Sequence, residues 1–214
     1  MDRGTAIPSR LTVATLVQIE SADRQLLAEI ADTMAEAARR SGAWLACRIG
    51  CTQCCISPFG ITQLDALRLR RGMEELERAD PVRAGAVRVR AEAYITQIAA
   101  IYPGDAGTGE LFDEHELPDS MDELPCPALD PATGACDLYD ARPITCRSFG
   151  PATRIGDDRL AACELCYVGA SDAEIAACAV ELDPDGLEAG LVEALEARGA
   201  KGTTIVAYAV AQAL

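Results

Sequence analysis

Nine of the ten cysteines lie between Cys47 and Cys166, and this clustering constrains the fold more than any other feature of the 214-residue chain. The first group reads Cys47-Arg-Ile-Gly-Cys51-Thr-Gln-Cys54-Cys55, the second holds Cys126, Cys136 and Cys146, and the third is Cys163-Glu-Leu-Cys166. A chain of this length can bury a sufficient hydrophobic core without covalent staples, so the thiols are not needed as cross-links. The first residues carry a short apolar stretch, Leu11 to Ile19, followed by Glu20 and Asp23, with no small-residue cleavage site, so no signal peptide is read. No run approaches the roughly 20 apolar residues that span a bilayer. These signs point to a cytoplasmic chain, and in a reducing compartment clustered thiols serve metal binding or redox chemistry.

Half the residues are hydrophobic but only 4% are aromatic, a mix of Ala, Leu, Val and Ile that suits close-packed helices. The expected fold is mostly α, a helical scaffold around a cysteine-rich, loop-dominated centre with little β-structure. It is read as a single domain, 1–214. Its segments are a helical part (1–46), a cysteine motif (47–60), a helical hairpin (61–103), an acidic loop (104–125), a cysteine-rich core (126–170) and C-terminal helices (171–214). Ser21 is the expected cap of a helix burying Leu26, Leu27, Ile30, Met34 and Ala38. Thr62 with Asp65 reads as a capping box. Asp80-Pro81 starts the second arm of the hairpin, where Val87, Ala91, Tyr94, Ile98 and Ile101 recur until Pro103-Gly104. Arg68, Arg70, Arg71, Arg78, Arg83, Arg88 and Arg90 read as a solvated face on this pair. Ser171 and Glu174 form another box, and Leu187–Ala197 and Thr203–Ala213 read as closing helices. A net charge of −15 repels phosphate backbones and anionic lipids, so neither nucleic acid nor membrane is an expected partner.

A C-x-x-C such as Cys51–Cys54 folds into a tight turn that lets two thiolates reach one ion. The adjacent Cys54 and Cys55 are expected to diverge along an extended segment, so that they serve different roles. Asp130-Pro131 and Gly134 signal a turn between two short extended pieces. Cys178 falls in a predicted helix and reads as a buried structural thiol. His115, the only histidine, sits in the acidic loop and reads as exposed. Without it a metal site must be built from thiolates. The motif cysteines exceed one zinc's need, and Arg142 and Arg147 are placed to donate N–H groups to an anionic cluster or to pair with a loop carboxylate; the balance favours iron–sulfur over zinc.

The residues Cys51-x-x-Cys54-Cys55, Cys126-Pro-x-Leu and Cys136-x-x-Tyr139-x-x-Arg142-Pro143-x-x-Cys146-Arg147-x-Phe149 resemble the YkgJ-type cysteine-cluster family, the CxxCxxCC zinc- or iron-chelating domain. The resemblance covers about Cys47 to Cys166, although Cys47 stands one residue farther from Cys51 than the family commonly has it. It implies a metal centre, an iron–sulfur cluster or zinc, held among Cys47, Cys51, Cys54, Cys55, Cys126, Cys136, Cys146, Cys163 and Cys166, with Tyr139, Arg142 and Arg147 around it. One branch of the family resembles flagellin lysine methylases, which leaves a cluster-dependent transferase or oxidoreductase as an alternative, beside a zinc-stabilised structural or interaction protein. Nothing local adds to the enzyme reading. The C-x-x-C follows a predicted helix, where a thioredoxin-like motif opens one after a strand, and no Gly-rich phosphate loop or Ser/His/Asp set is present.

Overall fold

A computed structural model describes residues 13–48, 50–112, 117–155 and 159–212, and among them the chain is mostly α. The helices are α1 (Val13–Ser41), α2 (Gln63–Ala79), α3 (Pro81–Ile98), α4 (Ile144–Ser148), α5 (Asp172–Cys178), α6 (Leu187–Glu196) and α7 (Val206–Ala211). The strands are short: β1 (Ile61–Thr62), β2 (Thr153–Ile155), β3 (Arg159–Ala161), β4 (Val180–Glu181) and β5 (Thr203–Thr204). The described residues group into two compact units, one within 50–143 and 192–212, the other within 13–48 and 144–191. No described helix is long and apolar enough to cross a membrane.

In the first unit the hairpin starts where the caps dictate. The Thr62 hydroxyl accepts the Asp65 N–H at 3.2 Å, and the Asp80 carboxylate accepts the Arg83 N–H at 3.0 Å ahead of α3. Asp65 does not complete a reciprocal box; its buried carboxylate instead lies 2.5 Å from the buried Arg68 guanidinium. Leu69 and Met73 of α2, Ala84, Val87 and Ala91 of α3, and Val206, Ala209 and Val210 of α7 close one apolar core. α3 stops at Ile98, and Ile101, expected on the buried stripe, is 42% exposed. Nor does the last helix begin at Thr203. Thr203 and Thr204 form β5, antiparallel to β1, and Thr204 donates its hydroxyl to the Gly109 carbonyl at 2.7 Å. The β-branched pair takes the extended pairing, and helix follows only at Val206.

The arginines of the hairpin are not a uniformly solvated face. Arg68 is buried, and Arg83 and Arg90 both pair with Asp137, a carboxylate brought in from a distant loop. Gly72 explains how another part of that loop seats on α2: a Cβ there would stand 2.3 Å from the Ala141 Cβ, inside the 3₁₀ turn Tyr139–Ala141. Only the missing side chain permits this approach.

In the second unit α1 begins eight residues before Ser21, which lies exposed in its interior. Ile19, Asp23, Leu26, Ile30, Ala37 and Ser41 are buried, a three-and-four spacing that continues through Ser21 without a break. Ala38 is exposed and Ala37 takes its place. At the end of α1, Ser41 Oγ and the Tyr167 hydroxyl lie 2.5 Å apart, and Tyr167 also accepts the Ala152 N–H at 2.9 Å. Here β2 pairs antiparallel with β3 and parallel with β4. The capping box at Ser171 is complete and starts α5.

Candidate metal centre

Backbone pairing gathers the thiols of the first unit. The Cys55 N–H donates to the Thr52 carbonyl at 2.8 Å, closing a 3₁₀ turn over Gln53–Cys55. Past this turn Ile56 bridges Pro125, and the Cys126 N–H donates to the Cys55 carbonyl at 2.7 Å. The chain then folds back at Asp130 to Gly134, with Gly134 at φ +68° and Leu129 bridging Cys136. The Asp137 N–H donates to the Ala128 carbonyl at 2.7 Å. One short run of antiparallel pairings thus ties Cys55 to Cys126 and the Cys126 arm to the Cys136 arm. Cys51 sits on the connection before the 3₁₀ turn, where Thr52 lies 3.6 Å from the position of a Cβ on Gly134.

The turn also corrects the expected divergence of Cys54 and Cys55. They lie in a 3₁₀ turn, not an extended segment, and their thiols hydrogen-bond each other. That bond, first among the causes, lowers the Cys54 pKa to about 6 against the opposing effect of burial, with the Arg142 guanidinium assisting. The proton is retained on Cys55, raised by the bond to Cys54, by burial, and by Cys54, Cys126 and Cys136 nearby. Burial pushes Cys126 up to about 12, with Cys136 adding to it. Burial raises Cys136 as well, and Arg142 works against that rise. Cys54, Cys55, Cys126 and Cys136 therefore share one electrostatic neighbourhood. Gathering them as anions requires a compensating cation.

Sulfur donors of this kind suit zinc or iron. Among the described residues, no three or more His, Cys, Asp or Glu side chains stand arranged to grip a single ion. The Arg142 guanidinium lies 3.6 Å over the ring of Tyr139, itself largely exposed, so an aromatic face meets this arginine in addition to the thiols. The sequence reads Arg83 and Arg90 only as a solvated face and Tyr94 only as part of the α3 stripe, and it assigns nothing to Asp137. Tyr94, four residues after Arg90, is raised by burial, with the Cys126 charge adding to the rise.

The second unit holds Cys47, Cys146, Cys163, Cys166 and Cys178. Cys47 and Cys166 sulfurs are 4.0 Å apart, close to the roughly 3.8 Å separating two thiolates on one tetrahedral ion. Cys163 and Cys166 close a C-x-x-C turn through the Cys166 N–H to Cys163 carbonyl bond of 2.9 Å, and Cys163 donates its N–H to Gly150 at 3.1 Å. Gly150 has φ +122°, and a Cβ there would fall 2.4 Å from the Cys47 sulfur. Cys146 and Arg147 lie on α4, both half-buried. Cys178 is buried at the end of α5 and donates its S–H to the Arg40 carbonyl at 3.4 Å, as a structural thiol does. His115 lies outside the described residues.

No curated protein and no solved structure matches the chain. Residues 46–167, more than half of it and spanning all nine motif cysteines, match the model of the CxxCxxCC family, described as "Putative zinc- or iron-chelating domain". The chain belongs to that metal-chelating, cysteine-cluster family.

Proposed function

We propose that the chain carries an iron–sulfur centre, ahead of zinc, on thiolates drawn from Cys51, Cys54, Cys55, Cys126 and Cys136. Cys47, Cys146, Cys163 and Cys166 offer a second thiol set within the other unit. The observation that supports this most is the shared neighbourhood of Cys54, Cys55, Cys126 and Cys136 with one guanidinium, Arg142, close to it. A cluster is an extended anion with several thiolate positions, so surplus sulfur donors and a nearby cation suit it better than a single zinc. When bound, such a centre supplies electron transfer or a Lewis-acidic iron. The chain's own part is to collect the thiols, shield them from water and keep Cys55 protonated beside Cys54, whose own proton goes to solvent. Net charge of −15 argues against nucleic acid and anionic membranes as partners.

Anaerobic purification with visible absorption and analysis for iron, zinc and acid-labile sulfide tests the reading, repeated on Cys126→Ser and Cys136→Ser. Iron and sulfide in the wild type, lost from both variants, are expected. Zinc without sulfide in anaerobic protein would remove the iron–sulfur assignment and leave a zinc-stabilised domain. Full metal retention in both variants would remove these cysteines as ligands.

A further inference from the structure

The face of α3 that looks like a solvated arginine stripe contacts both cysteine arms of the first unit. Arg90 donates from Nε to the Pro127 carbonyl at 2.8 Å and from Nη2 to Asp137. Pro127 follows Cys126, and Asp137 follows Cys136. One guanidinium thus holds the residue after each cysteine, on both sides of the Asp130–Gly134 turn. Arg83, two turns earlier on the same face, bonds the other oxygen of Asp137. The Asp137 side chain is 2% exposed, whereas Arg83 is 46% and Arg90 26% exposed. The helix carrying them is anchored beneath by Ala84, Val87 and Ala91, all fully buried.

From this we infer that Arg90 is a positioning residue for the metal centre, setting the separation of Cys126 and Cys136 by gripping Pro127 and Asp137 together. The inference rests on the reading that those two thiols hold the metal. The fork of the guanidinium is what the geometry uses: one planar group offers two divergent N–H directions to a carbonyl and a carboxylate at once. Lysine is a point charge on a flexible stem and satisfies one of the two. Arg83 differs, because among the described residues its side chain hydrogen-bonds Asp137 alone, and a lysine there preserves the charge beside the carboxylate. Groups that orient metal ligands from behind typically govern about ten- to hundredfold of metal affinity.

The experiment compares wild type, Arg90→Lys, Arg83→Lys and Asp137→Asn, using Zn²⁺ as the probe in competition with a chromophoric chelator, since zinc enters thiolate sites built for iron. Amide exchange at Leu129 and Asp137 in the metal-free proteins gives a second, metal-independent readout. Arg90→Lys is expected to weaken Zn²⁺ retention about ten- to hundredfold and to speed exchange at both amides, with the thermal midpoint of the metal-free form within a few degrees of wild type. Arg83→Lys stays near wild type. Equal weakening by the two lysine variants would show that charge neutralisation of Asp137 is all that matters, and wild-type behaviour of Arg90→Lys in both readouts would show that the grip is incidental; either overturns the inference. Should Arg90→Lys fold poorly, Asp137→Asn takes its place and must show the same loss of zinc with the helical signal kept. A wild type that retains no Zn²⁺ overturns the metal-site reading and, with it, this inference.

Discussion

Replacing Cys55 by alanine removes the thiol that lowers Cys54, and the consequence is a measurable shift in one titration. With its pKa at about 6, Cys54 is about 90% thiolate at pH 7, against about 3% for an ordinary thiol near 8.5. Nucleophilicity falls with basicity at a slope of about 0.4–0.5, which over 2.5 units costs about ten- to eighteenfold. The rate of reaction at pH 7 therefore rises only about two- to threefold over an ordinary cysteine, and the midpoint of the pH profile is the discriminating quantity. Iodoacetamide labelling of metal-free protein between pH 5 and 10, read peptide by peptide in a mass spectrometer, should place the Cys54 midpoint near 6 in the wild type. Cys55→Ala should move it upward by more than a unit. Arg142→Gln should move it less, because the hydrogen bond is the first cause and the guanidinium charge the last. The stability linkage has a matching sign: a folded value below the ordinary one adds stability that is absent below about pH 6, accrues up to about pH 9 and is constant above it. A wild-type midpoint near 8.5, or a larger shift from Arg142→Gln than from Cys55→Ala, would refute the assignment of cause.

Gly150→Ala should destabilise the chain by about 2–5 kcal/mol in urea unfolding, because its φ of +122° suits glycine alone and the new Cβ would meet the Cys47 sulfur at 2.4 Å; wild-type stability would place Cys47 elsewhere. Removing metal with a chelator should leave the far-ultraviolet helical signal of α2, α3 and α7 largely intact while amide exchange rises across Cys126 to Cys136, since those helices share an apolar core that does not depend on thiolates. Complete cooperative loss of helix on chelation would show that the centre organises the whole unit.

What the sequence made legible was local. Thr62, Asp80-Pro81 and the Ser171–Glu174 box mark helix starts because a cap is a bond between residues three apart. The Asp130–Gly134 turn is legible for the same reason, as is Cys178, whose helical setting implied burial. Ser21 misled because it is a good cap by type, yet the apolar spacing on either side of it continues in register, and burial along a whole helix outweighs one capping bond. The pairs that build the site were beyond reach for a different reason. Arg83 and Arg90 meet Asp137 across separations of 54 and 47 residues, and no periodicity connects such positions. Convergence of the cysteine segments is expected from their clustered spacing, but the pairings behind it are not legible there: Ile56 bridges Pro125, and Leu129 bridges Cys136.

This arrangement bears on how a thiol-rich site survives without its metal. Four free thiolates in one neighbourhood would repel strongly, and the unit avoids that cost by keeping Cys55, Cys126 and Cys136 protonated through burial and mutual proximity. Among these four only Cys54 is lowered, to about 6, first by the Cys55 thiol, then by a backbone hydrogen bond and last by the Arg142 charge. The metal-free unit therefore carries about one negative charge among these thiols instead of four, and the helices can pack without waiting for an ion. Binding reverses the balance, because each protonated thiol that becomes a ligand must lose its proton to the solvent. Under the proposed metal reading, acid would oppose loading for that reason at Cys55, Cys126 and Cys136, all raised above an ordinary thiol. Under the same reading, Cys54 would hold a cation without giving up a proton near neutral pH, whereas Cys55 beside it in the same turn would have to lose its proton to solvent.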